Sequence, residues 1–160
     1  MPAMSTVAQR STASPEAEVF VRAFAEMWDR PTMEGFAALM HPEVRLVQPL
    51  ARPVHGTHEA CEWFVGMLAL VPDIRIAVDR WSGTSEALFI EWTATATFAG
   101  KPVRWSAVDR FRLADGKVLE RIAYFDPLPL LGAVVARPSG WLRFVRSRLG
   151  WRGRSTARVA

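Results

Sequence analysis

One cysteine, one tyrosine and three histidines are all this 160-residue chain holds of the side chains that most often do thiol, phenol or metal chemistry. Cys61 has no partner for an internal disulfide, and its helical context predicts a buried, inert thiol, as suits a reducing compartment. No pair among His41, His55 and His58 has metal-ligand spacing, so no metal is expected. No run approaches the length of a membrane-spanning helix, and the first fifteen residues lack the apolar stretch of a signal peptide, which predicts a cytoplasmic protein. Acids are missing after Asp126, where seven arginines follow (137, 143, 146, 148, 152, 154 and 158). The net charge of +4 therefore belongs to a tail. The rest of the chain is formally acidic and shows no electrostatic footprint for nucleic acid.

Half of the residues are apolar, enough for one domain with a real core. The reading is a disordered N-terminus over 1–13, a folded domain over 14–131 and a basic, arginine-rich tail over 132–160. Ser14-Pro15 starts a helix whose apolar residues Phe20, Val21, Phe24, Met27 and Trp28 recur at helical spacing until Pro31. Thr32 caps a short second helix ended by His41-Pro42, and Val44 to Gln48 reads as a strand. After a proline-rich loop, Thr57 caps a third helix, closed by Pro72. Strands follow: Ile74 to Val78, a turn at Ser82–Ser85, Leu88 to Phe98, Val103 to Leu113, a turn at Asp115-Gly116-Lys117, and Val118 to Phe125. Helices first and then an antiparallel meander give an α+β fold, an α+β barrel: a cone-shaped, curved antiparallel sheet whose concave face is covered by three helices from the N-terminal half. Such a cone can enclose a cavity. Small residues (Ala94, Ala107, Ala123) beside large aromatics predict room for a flat apolar ligand.

The strand from Val103 to Leu113 places Trp105, Ala107, Asp109 and Phe111 on one face, so Asp109 is an acid at a core position. A carboxylate there is desolvated, paired with a cation, or open to a cavity, and each state is more often functional than a surface acid. With a three-residue hairpin loop at Asp115-Gly116-Lys117, residues whose numbers sum to 232 pair. Asp109 then faces Ala123, and Phe111 faces Arg121, diagonally beside the acid. An ion pair between them makes Asp109 a poor proton donor. Alternatively, Arg121 anchors an anionic ligand at the cavity mouth.

The order of elements, with Pro53-Val54-His55-Gly56, Val108-Asp109-Arg110-Phe111-Arg112-Leu113, Asp115-Gly116-Lys117-Val118 and Tyr124-Phe125-Asp126, resembles the nuclear transport factor 2-like superfamily over roughly Glu16 to Leu131. Within it the chain resembles the SnoaL-like polyketide cyclases, ketosteroid isomerases and limonene-type epoxide hydrolases. By resemblance, Asp109 matches the neutral aspartic acid of a ketosteroid isomerase, while the tyrosine position falls on Phe24 and the base position on Gln48. The epoxide-hydrolase tyrosine falls on Leu46, its arginine near Trp92, and its two acids near Ala94 and at Ala123. Both machineries are thus incomplete, and what remains is Asp109 with the amide of Gln48.

The resemblance implies a cofactor-free isomerase, cyclase or related lyase acting on a small apolar, polyketide- or terpenoid-like molecule. Asp109 is the expected general acid or base and Gln48 the polarising amide. Phe24, Trp63, Trp92, Trp105, Phe111, Arg121 and His55 are expected to line the substrate, His55 from a loop over the cavity mouth. The alternative is a binding or carrier module for a similar ligand, or a dimeric assembly module. The outward residues Tyr124, Ile122, Val108 and Phe89 predict an apolar outer sheet face and a homodimer through it. The tail from Ser139 to Arg152 carries an apolar arc that suits weak contact with an anionic membrane surface.

Overall fold

The computed structural model describes residues 13–49, 51–98 and 100–128, and within them three helices and six strands. The expected N-terminal disorder, the domain end at 131 and the tail with its membrane contact lie outside the described residues.

Helix α1 (Pro15–Asp29) starts as its sequence dictates, with Pro15 in the first turn and the Ser14 hydroxyl accepting the Ala17 N–H at 3.2 Å. Its buried stripe is Ala17, Phe20, Val21, Phe24, Met27 and Trp28. Helix α2 (Met33–Leu39) is capped by Thr32, whose hydroxyl accepts the Gly35 N–H at 3.0 Å. It stops before His41-Pro42, which instead lie in strand β1 (Met40–Val47). The ladder of β1 is interrupted between Met40 and Arg45, so Pro42 sits where no ladder N–H is needed.

The proline-rich loop holds a two-residue strand, β2 (Val54–His55), and helix α3 (Gly56–Leu70) follows directly. The cap of α3 is His55 and not Thr57. The Glu59 carboxylate reaches back to accept the His55 N–H at 3.1 Å, while the Thr57 hydroxyl donates to the His41 carbonyl at 3.1 Å, tying the helix start to β1.

Strands β3 (Arg75–Thr84), β4 (Ala87–Phe98), β5 (Lys101–Ala114) and β6 (Lys117–Tyr124) form the expected antiparallel meander. The first reversal comes later than expected. Thr84 pairs with Ala87, so the chain turns at Ser85-Glu86, while Gly83 stays in the strand at φ 127°. The β5–β6 turn also differs. Ala114 pairs with Lys117 around the two residues Asp115 (φ 52°) and Gly116 (φ 71°), the signature of a tight I′-type hairpin. A register shift between Arg112 and Leu113 then restores the expected pairing beyond it, with Phe111 opposite Arg121 and Asp109 opposite Ala123.

The six strands run in the order β2-β1-β6-β5-β4-β3 in a curved, unclosed sheet. β1 lies parallel to β6, so the meander is extended on that side by strands from early in the chain. Helix α1 lies along β3, and α3 along β1. Between helices and sheet is the core, with Val44, Leu46, Leu88, Ile90, Ala94, Phe111 and Val118 all but sealed from solvent.

The outer face is not the apolar surface the sequence predicts. Phe89 and Tyr124 are exposed there, but Arg110 stands between Phe89 and Ile122 in the register. Arg110 and Arg45 both bind Glu120, at 3.1 and 3.0 Å. The face is a mixture of rings and ion pairs.

Candidate active site

Pairing register decides which side chains share the inner face. Ile90, Asp109 and Ala123 make one row across β4, β5 and β6, and Leu88, Phe111, Arg121 and Leu46 make the next. Asp109 is fully buried, as its position in the alternation requires. Arg121 reaches it diagonally with a fork: Nε donates to Oδ2 at 2.7 Å and Nη2 to Oδ1 at 3.1 Å. Both carboxylate oxygens are engaged by one guanidinium, the strongest geometry such a pair has. The pair is not wholly sealed, because the Arg121 side chain keeps 13% of its surface.

This geometry corrects the reading of Asp109 as an isolated inward acid. An ion-paired carboxylate has no proton to give. Taking one up as a base leaves the guanidinium as an unpaired cation in an apolar layer, a costly state unless a ligand compensates it. The polar centre is the pair, and the member that reaches solvent is Arg121.

Aromatic rings fill the side of the pair beneath α1. Phe111 lies 5.3 Å from Phe20 and 5.6 Å from Phe24, ring centre to ring centre, and Phe24 lies 6.2 Å from Trp28. Trp28 meets Phe64 edge-on at 5.8 Å, and Phe64 stacks on Phe36 at 4.2 Å. On the other side of the pair the side chains are Ala107, Ala123 and Trp92, with Trp105 half-buried beyond them.

Phe24, Phe111 and Trp92 are buried as expected, and the register sets Phe111 and Trp92 on either side of Asp109. Trp105 is opposite Ala94 on the same face, nearer the sheet end. Gln48 directly follows β1, whose ladder with β6 ends at Val47 opposite Ile122, and is half-buried. Trp63 is only half-buried and its ring lies 6.2 Å from Phe36, so its described contact is with α2. His55 is not brought to the site. It is exposed, pairs with Arg45 on the outward parity of β1, and lies three strands from Asp109.

Trp28 was legible in the sequence only as one more apolar residue on a helix stripe. Its indole Nε1–H, like that of Trp92, is buried without a hydrogen-bond partner among the described residues. No group of histidine, cysteine and carboxylate side chains that could hold a metal occurs among the described residues. Cys61 is half-buried and not fully buried as expected, and partial burial raises the pKa of its thiol. No helix among the described residues is long and apolar enough to cross a membrane.

The SnoaL-like domain family matches residues 21–121, a span that contains every residue of this inner face from Phe24 to Arg121. Solved structures share the fold at low identity. A protein assigned to the SnoaL-like polyketide cyclases from Jannaschia sp. CCS1 superposes with a TM-score of 0.66 at 21% identity, over 78% of this chain and 97% of that one. TerC, co-crystallised with polyporic acid, gives 0.68 at 18%, over 75% and 98%. An epoxide hydrolase of the LEH-like kind from M. tuberculosis gives 0.64 at 17%, over 81% and 95%. The sequence matches none of the curated proteins.

Proposed function

Since the chain belongs to the SnoaL-like domain family, we propose that its concave face receives a small, flat, apolar organic molecule of polyketide- or terpenoid-like skeleton, and that Arg121 is the polar group this molecule meets. The single observation that carries the reading is the Asp109–Arg121 fork, a charged pair set into an aromatic wall with only the cation partly accessible. A stabilising interaction alone explains such a pair poorly, because two apolar residues of like volume would serve at least as well. A guanidinium pre-oriented by a counter-ion is well suited to hold a carbonyl, enolate or carboxylate oxygen. Gln48, just past the end of β1, supplies a second polar contact, and Trp92, Trp105 and Phe111 supply flat surfaces.

Catalysis is the second reading, and the same fork favours it. A ligand oxygen that takes over the Arg121 donors frees the Asp109 carboxylate to accept a proton from the bound molecule, the general-base role of an isomerase or cyclase. The structural neighbours include proteins named cyclase and epoxide hydrolase, and they lend this reading its reaction classes.

Native mass spectrometry of the purified chain tests the first reading by identifying a bound small molecule, which Arg121→Gln should lose at least ~10-fold more readily. A ligand that is bound but unchanged over hours supports a carrier. Turnover that Asp109→Asn abolishes while affinity persists supports the enzyme. Full retention of ligand by Arg121→Gln sinks the proposed role of the guanidinium. We also propose a homodimer whose contact is the outer face, with Phe89 (45% exposed) and Tyr124 (54%) as anchors.

A further inference from the structure

Two buried donors have no acceptor among the described residues. The indole Nε1–H groups of Trp92 and Trp28 are both buried, in residues only 3% and 4% exposed, and neither has a hydrogen-bond partner among the described residues. An indole nitrogen donates only, so the need can be met by nothing but an acceptor. Leaving such a group unsatisfied in the interior is costly, so each calls for a physical reason.

Their positions supply one. Trp92 is opposite Ala107 on β5, and Asp109, two residues on, is opposite Ile90, so Trp92 is a diagonal neighbour of the acid on the inner face. Trp28 is further from the pair: its ring lies against Phe24 and Phe64, and only Phe24 in turn meets Phe111 in the row of Arg121. The remaining polar groups of this layer are biased the same way. Arg121 is a donor, the two oxygens of Asp109 already accept from it, and Gln48 can serve as donor or acceptor.

We infer that Trp92 selects the ligand of this site by donating its indole N–H to an acceptor oxygen. The site thereby separates a carbonyl-bearing molecule from a hydrocarbon of the same shape. The inference rests on the reading that the concave face takes a small molecule, and adds the residue that sets its specificity. A hydrophobic wall alone discriminates poorly between near-isosteres, whereas a buried donor left unpaired by the wrong ligand discriminates strongly.

The test uses the full chain labelled with 15N-tryptophan, whose seven indole N–H signals are assigned with Trp92→Phe and Trp28→Phe. It is titrated with 9-fluorenone and with fluorene, flat molecules that differ by one carbonyl. The expected result is at least ~10-fold tighter binding of fluorenone, a downfield shift of the Trp92 indole proton on binding it, and loss of that preference in Trp92→Phe. The shift is read in the unmutated protein, so it stands even where a variant folds poorly. Equal binding of both probes with unmoved indole signals overturns the donor role while leaving the small-molecule site intact. Binding of neither probe overturns the inference together with the reading beneath it.

Discussion

Removing one member of the Asp109–Arg121 pair strands the other in an apolar layer, so Asp109→Leu and Arg121→Met should each cost about 3–5 kcal/mol. Made together they leave no charge behind, and the double variant should fall within about 1 kcal/mol of the parent chain or exceed it. Urea unfolding of the three variants measures this. A double variant as unstable as the singles would mean that the pair stabilises the fold through more than mutual compensation. The pair was legible in the sequence because strand parity and one assumed register set the two side chains diagonally. Which of its two roles it plays was not, since a free inward acid and an ion-paired one share the same pattern of residues. The orphan indoles were less legible still. Whether a buried N–H finds an acceptor depends on side chains distant in sequence, and periodicity carries no trace of it.

Turns and caps place these side chains, and they were read with uneven success for identifiable reasons. Ser14 and Thr32 cap as expected because an N-cap is a contact within three residues. Ser14→Ala should lower stability by about 1 kcal/mol. Thr57 does not cap, because His41 of β1 offers its carbonyl instead, a partner no local rule foresees. At Gly83 a side chain is barred outright. Its φ is 127° and an added Cβ would lie 2.0 Å from the Ala87 carbonyl oxygen. Gly83→Ala should therefore destabilise by about 1–3 kcal/mol, seen as a lower thermal midpoint, whereas an unchanged midpoint would mean that the β3–β4 turn relaxes freely. Between α3 and β3, Asp73 accepts the Thr97 N–H at 2.8 Å. Hydrogen bonds from Thr97, with Arg75 contributing least, hold its carboxyl below the usual carboxylate range. A group depressed on folding adds stability above its unfolded pKa and loses it as pH falls through the folded one. Thermal midpoints recorded against pH should thus show a shallower acid limb for Asp73→Asn. An acid limb identical to that of the parent chain would discard the contribution.

At the scale of the whole molecule, the fold class and strand order of the meander followed from alternation and turn residues. The parallel seam between β1 and β6 did not, because it joins segments some seventy residues apart. The proposed homodimer belongs to this scale. Light scattering should give twice the chain mass, and Phe89→Glu with Tyr124→Glu should return a monomer that remains folded; a monomeric parent chain would dismiss it. The parallel seam has a further consequence, for the order of assembly. Asp109 and Arg121 lie on the two arms of one tight hairpin, twelve residues apart, so they can meet early, while water still surrounds both. Leu46, the neighbour of Arg121 in the next strand, arrives only when a much longer loop closes. A hairpin that forms ahead of the β1 seam would join the two opposite charges before the solvent leaves, so that neither is carried into the dry interior by itself.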